Sequence, residues 1–190
     1  MNKLAVFASG AGSNAVNIYE YLAAHRELGI EVAVVVSDKA NAPVLGKMEA
    51  LGVPSLYINK ESYGDPAKML EMLAEYGVDW IILAGFLKLI PSFLIEAFPR
   101  RIVNIHPALL PSYGGKGMYG ARVHEAVVAN KETQSGITIH FVNERYDEGE
   151  HLFQATCPVL PTDTPDDVAT KVHALEYAHF PRVIAEAVQR

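Results

Sequence analysis

Short runs in which nearly every position is apolar alternate along this chain with longer segments in which apolar residues return every three or four positions. The short runs cover residues 4–8, 32–36, 54–58, 80–84 and 101–105. Unbroken apolar character marks a strand covered on both faces, because a strand with one wet face would alternate apolar with polar. The stretches between them carry the helical period. Strand and helix therefore alternate through the first hundred residues, which predicts an α/β fold built on a parallel sheet.

Three helix starts are written into the sequence. Asp65-Pro66, Ile90-Pro91-Ser92 and Thr164-Pro165-Asp166-Asp167 each put proline near the first helical position, and in the first and third a capping side chain precedes it. Beyond residue 105 the pattern changes to a glycine-rich loop over 107–120, a helix from about 122 to 130, and two further strands near 137–142 and 152–159. The predicted architecture is an open, Rossmann-like, mostly parallel sheet with helices on both faces and an antiparallel part toward the C-terminal end. No composition break and no repeat interrupts it, so residues 1–190 read as a single domain.

Composition narrows the function classes. Sixteen Lys and Arg stand against 22 Asp and Glu, a formal net charge of −6, and no basic run supplies the footprint that nucleic-acid binding needs. The single Cys157 excludes an internal disulfide and any Cys-x-x-Cys metal site, which fits a reducing, cytoplasmic setting. Met1-Asn2-Lys3 leads straight into the first strand with no export signal. The longest apolar stretches fall far below the roughly 18 residues of a membrane span. His106, His124, His140 and His151 show no ligand spacing, so no metal is expected.

Candidate chemistry starts at Ser9-Gly10-Ala11-Gly12-Ser13-Asn14-Ala15, which follows the first strand and opens a helix. Free N–H groups and the helix dipole converge there and favour an anion such as a phosphate. Two other readings fit the same residues: a plain strand-to-helix turn capped by Ser13, and a variant Gly-x-Gly-x-x-Ala dinucleotide turn with Asp38 as the ribose-binding acid. The latter makes a nicotinamide oxidoreductase the first rival. A noncatalytic phosphoribosyl-binding domain is the second.

The fifth strand ends in Asn104-Ile105-His106-Pro107, at the sheet edge where α/β proteins place ligands. With a side-chain period of two, Asn104 and His106 share a side of the strand, an amide and a titratable ring within reach of one small group. Pro107 and Pro111 restrict the backbone behind His106, which is expected near the rim rather than in the core. Asp147, in the later turn 144–149, is the carboxylate placed to raise the His106 pKa and let it donate a proton near neutral pH. A structural histidine and an Asx-type turn are the plain alternatives.

Read together, Gly10-x-Gly12-Ser13-Asn14, Ala84-Gly85-Phe86, Asn104-Ile105-His106-Pro107-x-Leu109-Leu110-Pro111, Gly136-x-Thr138-x-His140-Phe141-Val142 and Asp147-x-Gly149 resemble the phosphoribosylglycinamide formyltransferases, folate-dependent enzymes of purine biosynthesis. The resemblance runs in order from about residue 3 to 188. It implies transfer of a formyl group from 10-formyltetrahydrofolate, a cosubstrate, to the amine of 5-phosphoribosylglycinamide, with no covalent enzyme intermediate and no metal. Asn104, His106 and Asp147 would be catalytic. Gly12, Ser13, Asn14, Glu176 and His173 would hold phosphoribosylglycinamide, with His173 standing where familiar members have Gln. Leu87, Lys88, Leu89 and Ile90, together with Asn104, Asn143, Glu144, Arg145, Tyr146 and Asp147, would hold the folate.

The same resemblance divides the chain into a phosphoribosyl-binding half, about residues 1–100, and a catalytic and folate-binding half, about 101–190. It makes the glycine-rich segment 113–120 a mobile covering loop. Residues 62–66 lack the Arg that some members place near the folate tail, which leaves Lys60, Lys68 or Lys88 for that task. The partners implied are small-molecule substrates, with neither nucleic acid nor membrane, and the assembly a monomer or weak homodimer.

Overall fold

A computed structural model describes residues 1–190. Its strands are β1 (Asn2–Phe7), β2 (Ile30–Ser37), β3 (Ser55–Tyr57), β4 (Trp80–Leu83), β5 (Ile102–His106), β6 (Gln134–Phe141) and β7 (His151–Pro158). The helices are α1 (Ser13–Ala24), α2 (Pro43–Ala50), α3 (Lys60–Gly64), α4 (Pro66–Glu75), α5 (Ser92–Ala97), α6 (Ala121–Ala129) and α7 (Pro165–Val188). One seven-stranded sheet runs β3-β2-β1-β4-β5-β6-β7. Strands β1 to β5 pair in parallel, while β6 pairs antiparallel with both β5 and β7. The expected mixed, Rossmann-like sheet is present.

Alternation along β1 builds two cores. Leu4, Val6 and Ala8 join Ile18 and Leu22 of α1 and Val172, Phe180 and Ile184 of α7 in the larger cluster. Ala5 and Phe7 point the other way, to Met69 and Leu73 of α4 and Leu94 of α5. Both faces of the central strand are dry, which is why its sequence shows no polar alternation.

The marked helix starts behave as their chemistry requires. Asp65 accepts hydrogen bonds from the N–H groups of Ala67 and Lys68, and Thr164 forms a reciprocal capping box with Asp167. Pro91 sits at the N-cap of α5 without a side-chain cap. The sequence pattern did not resolve α3, whose start is made by Asn59 accepting from the Ser62 N–H. Strand β6 begins at Gln134, earlier than its apolar run, because Gln134 and Ser135 pair with Pro158 and Cys157 of β7.

One polar contact decides how α1 and α7 dock. Pro181 lies inside α7 and has no N–H to give the carbonyl of Tyr177 one turn earlier. Asn17 of α1, itself buried, donates its Nδ2 to that carbonyl at 3.0 Å. We predict that Asn17→Ala destabilises the fold by about 1 kcal/mol, the net weight of one part-buried hydrogen bond. Adding Pro181→Ala, which restores the missing N–H, should recover part of the loss in urea denaturation, and strict additivity would contradict this account.

Candidate active site

Strand order reverses at β1, whose neighbours β2 and β4 belong to successive windings of the chain. Ligand crevices open at such a switch point, beyond the carboxyl ends of the strands. A cavity of about 660 Å³ lies there, within the roughly 300–1,000 Å³ of small-molecule sites. The segments following β1, β4 and β5 line it, joined by the turn after β6, the loop before α6 and one face of α7.

Gly12 is the N-cap of α1 at φ 78°, and no side chain caps the helix. Ser13 therefore does not do so, contrary to the plain-turn reading. The first-turn N–H groups of α1 are left for a ligand or water, at the positive end of the helix dipole. A Cβ at residue 12 would strike the side chain and backbone of Val44, so only glycine fits this turn. Beside the loop, Asn14 Nδ2 donates to Glu176 Oε2 at 2.9 Å, and His173 Nδ1 lies 3.1 Å from the same oxygen. Glu176 is buried, whereas the His173 side chain is 64% exposed. The hydrogen bond to Glu176 raises the His173 pKa.

On the opposite side, Asn104 and His106 occupy one side of β5, as the strand period requires. Asn104 faces His140 of β6 in register, and His106 faces Thr138. Asn104 Nδ2 donates to His140 Nε2 at 3.1 Å, and His140 Nδ1 donates to the Phe141 carbonyl at 2.8 Å. That arrangement uses one of the two Asn104 amide hydrogens. Thr138 Oγ1 donates to the Ala108 carbonyl and accepts from the Leu110 N–H and from Gln154, pinning the segment behind His106.

Asp147 sits between the two rings. Its Oδ2 is 3.5 Å from His106 Nδ1, its Oδ1 3.6 Å from His140 Nε2, and the Gly115 N–H donates to it at 2.9 Å. The residue adopts φ 57°, a left-handed conformation that aspartate tolerates better than most side chains. The Asx turn nearby belongs to Asn143, which accepts from the Arg145 N–H. Burial pushes the Asp147 carboxyl up, but His140, His106 and the Gly115 N–H together outweigh it and hold the group below its ordinary value.

Two expectations about His106 are corrected. The ring is 4% exposed, so it belongs to the buried wall rather than the rim. Its pKa lies below the ordinary value of 6.5, because burial outweighs the upward pulls of Asp147 and of the Tyr113 carbonyl, with His140 adding a further downward push. Asp147 does raise it, as expected, but from beyond hydrogen-bond distance, and the net result is a neutral imidazole at neutral pH. His106 Nε2 donates to the Tyr113 carbonyl at 2.7 Å, which leaves Nδ1 as the nitrogen facing Asp147.

Of the remaining predicted residues, Leu87, Lys88, Leu89, Ile90, Asn143, Arg145 and Tyr146 line the cavity. Leu87 and Leu89 are 43% and 45% exposed, whereas Ile90 is a core residue at 4%. Glu144 is not part of the lining. Lys68 pairs with Glu61 and Asp65 outside the cavity, leaving Lys88 as the one of the three candidate lysines that lines it. Sequence reading gave no role to His140. Its place two residues after Thr138, on a strand pairing with the Asn-x-His strand, was the available signal.

The chain thus forms a Rossmann-like sheet whose glycine turn shares one cavity with an Asn, His and Asp cluster. The model of the formyl transferase family matches residues 2–184, and the chain belongs to that family. Phosphoribosylglycinamide formyltransferase of Bacillus subtilis is 34% identical over 190 residues, covering 98% of this chain and 94% of that protein. The chloroplastic phosphoribosylglycinamide formyltransferase of Arabidopsis thaliana is 44% identical over 187 residues, covering 96% of this chain. This chain spans only 64% of that plant protein's length. The crystal structure of glycinamide ribonucleotide transformylase 1 from Symbiobacterium toebii superposes with a TM-score of 0.88 at 33% identity, covering 100% of this chain and 89% of that one. No helix is long and apolar enough to cross a membrane.

The electrostatics of the site can be checked without any substrate. We predict that NMR titration of the His106 ring gives a pKa below 6.5, and that Asp147→Asn lowers it further by removing an upward pull. A rise in the variant would contradict the assignment.

Proposed function

We propose that this chain transfers the formyl group of 10-formyltetrahydrofolate to the amine of 5-phosphoribosylglycinamide, giving 5-phosphoribosyl-N-formylglycinamide and tetrahydrofolate in de novo purine biosynthesis. The observation that carries the reading is the convergence of Asn104, His106 and Asp147 on one cavity that also holds the glycine turn and the apolar 87–90 segment. The names of the matched relatives support it.

In this reading the phosphate lies on the first turn of α1, with Gly12, Ser13 and Asn14, and Glu176 and His173 face the ribosyl group. The folate ring lies between Leu87, Leu89 and the backbone of residues 143–147, where exposed apolar side chains and free backbone groups fit a flat heteroaromatic ring. Lys88 stands at its outer edge. In this reading Gly12, Ser13 and Asn14 belong to a phosphoribosyl half, residues 1–100, and Asn104, His106 and Asp147 to a catalytic and folate half, 101–190, while His173, Glu176 and residues 87–90 reach across. All these residues come from one chain, so a monomer or weak homodimer serves the reading equally. A cytoplasmic setting belongs to the same proposal, supported by the lone, buried Cys157.

The substrate amine attacks the formyl carbon, a nitrogen–carbon bond forms, and the bond from that carbon to the folate nitrogen breaks. One proton must pass from the attacking nitrogen to the leaving one. Neutral His106 accepts it at Nδ1, and Asp147 stabilises the resulting imidazolium and orders water for its onward transfer. The second amide hydrogen of Asn104 and the newly formed Nδ1–H stabilise the oxyanion.

Purified protein given both substrates should form formylated product and tetrahydrofolate in equal amounts. Losing one oxyanion donor costs about 2.7–4 kcal/mol, so Asn104→Ala and His106→Ala should each retain the fold and lose at least about a hundredfold in rate. Near-normal activity in either would sink the proposal. Because His106 must be neutral, activity is expected to be flat near neutrality and to fall as the pH drops through the lowered His106 pKa. Asp147→Asn should move that acidic limb to lower pH as well as reducing its height, and an unmoved limb would confine Asp147 to a structural role.

A further inference from the structure

Asp38 follows β2 at the position where a dinucleotide-binding sheet would hold an acid for ribose. The structure uses it otherwise. Its side chain is 7% exposed and lies outside the cavity lining. Ser9 Oγ donates to Asp38 Oδ1 at 2.6 Å, and Lys88 Nζ lies 3.9 Å from Oδ2. Both carboxylate oxygens thus face groups of the protein, and neither is turned to a ligand.

Those two partners lead to the loop after β4. The Ser9 N–H donates to the Gly85 carbonyl at 3.1 Å, and the Ser9 hydroxyl accepts from the Leu87 N–H at 3.2 Å. Lys88 Nζ also lies 5.2 Å from the centre of the Tyr63 ring, whose hydroxyl donates to the Leu89 carbonyl at 2.8 Å. Tyr63 is pushed above its ordinary pKa by burial and then by the charge of Asp38, so its hydroxyl keeps the proton it donates. Residues 85, 87, 88 and 89 are each tied to this set, although the loop has no regular secondary structure. The ties hold Leu87 and Leu89 out toward the cavity, where contact with water opposes that placement.

We propose that Asp38, acting through Ser9 and Lys88, is the positioning residue of the formyl-donor side, holding residues 85–90 in their binding shape before the donor arrives. The inference rests on the transfer reading for the identity of the donor, and on the hydrogen-bond geometry for the brace itself. A preset loop has less freedom to lose on binding, so the brace acts on donor affinity. Ser9 directly precedes the glycine turn, but its hydroxyl is engaged by Asp38 and the Leu87 N–H.

The test combines amide hydrogen exchange over residues 85–90 with steady-state kinetics on the full chain, for Asp38→Ala, Asp38→Asn and Ser9→Ala. For Asp38→Ala we expect faster exchange at the Leu87 amide and a donor KM raised about tenfold, the weight of one hydrogen bond to a charged group. The KM for phosphoribosylglycinamide and kcat should each change by less than about threefold. Asp38→Asn keeps an acceptor for Ser9 and should restore most of the exchange protection at Leu87, whereas Ser9→Ala should resemble Asp38→Ala. Unchanged exchange, or faster exchange with unchanged donor KM, would overturn the proposal. So would an equal rise in both KM values with a lower unfolding midpoint, which is general loosening. Should the unmodified protein transfer no formyl group, the transfer reading fails on its own, and the brace is decided by exchange and by calorimetric binding of 10-formyltetrahydrofolate.

Discussion

The antiparallel pairing of β5 with β6 is the constraint on which the chemistry of this site depends. Asn104 meets His140 and His106 meets Thr138 only in the observed register. A slip of one residue would turn each side chain to the opposite face of the sheet, placing apolar Ile105 and Ile139 where the amide and imidazoles now lie. The reversal of direction after β5 also brings the turn carrying Asp147 back to the rim of the same cavity. A further parallel strand would have delivered its following loop by a longer crossover. The mixed sheet is thus what joins residues 104 and 147 in one cluster.

Within that cluster two opposing influences set the charge states. Burial disfavours every ion, and Asp147 and His106 respond unequally because their partners differ. Asp147 has the Gly115 N–H donating to its carboxylate, and the group is held below its ordinary value. His106 has one carboxylate at 3.5 Å and a backbone carbonyl, which do not offset the loss of water around the cation. A neutral ring next to an ionised carboxylate is prepared to gain a proton, and this is the demand made by an amine nucleophile. Moving Asp147 closer would protonate the ring in the resting state and remove that capacity.

The strands, the helix starts and the site all left different amounts of trace in the sequence. Strand β1 was legible because burial on both faces leaves a continuous apolar run, and α4 and α7 because Asp65 and Thr164 precede proline. Helix α3 left little, since a single turn capped by Asn59 has no periodicity to show. The glycine turn, the Asn-x-His strand end and the acidic turn with Asp147 were readable as local candidates, and the family resemblance gave them roles. The depth of His106, the role of His140 and the use of Asp38 were not readable. Each depends on distances between segments far apart in the chain, and a pattern of residue types carries no such distance.

Contacts of that kind also decide how the molecule opens. Asn14 reaches Glu176 across 162 positions, and Asn17 reaches Tyr177 across 160. The ligand end of α1 and the middle of α7 are therefore one mechanical unit despite lying near opposite ends of the chain. If either helix detaches, the other loses a buried hydrogen-bond partner, so fraying cannot stay local and the two should open together as a single cooperative segment. Proline at 181 breaks the internal ladder of its own helix, and its consequence is that the tail of the polypeptide is latched to the head.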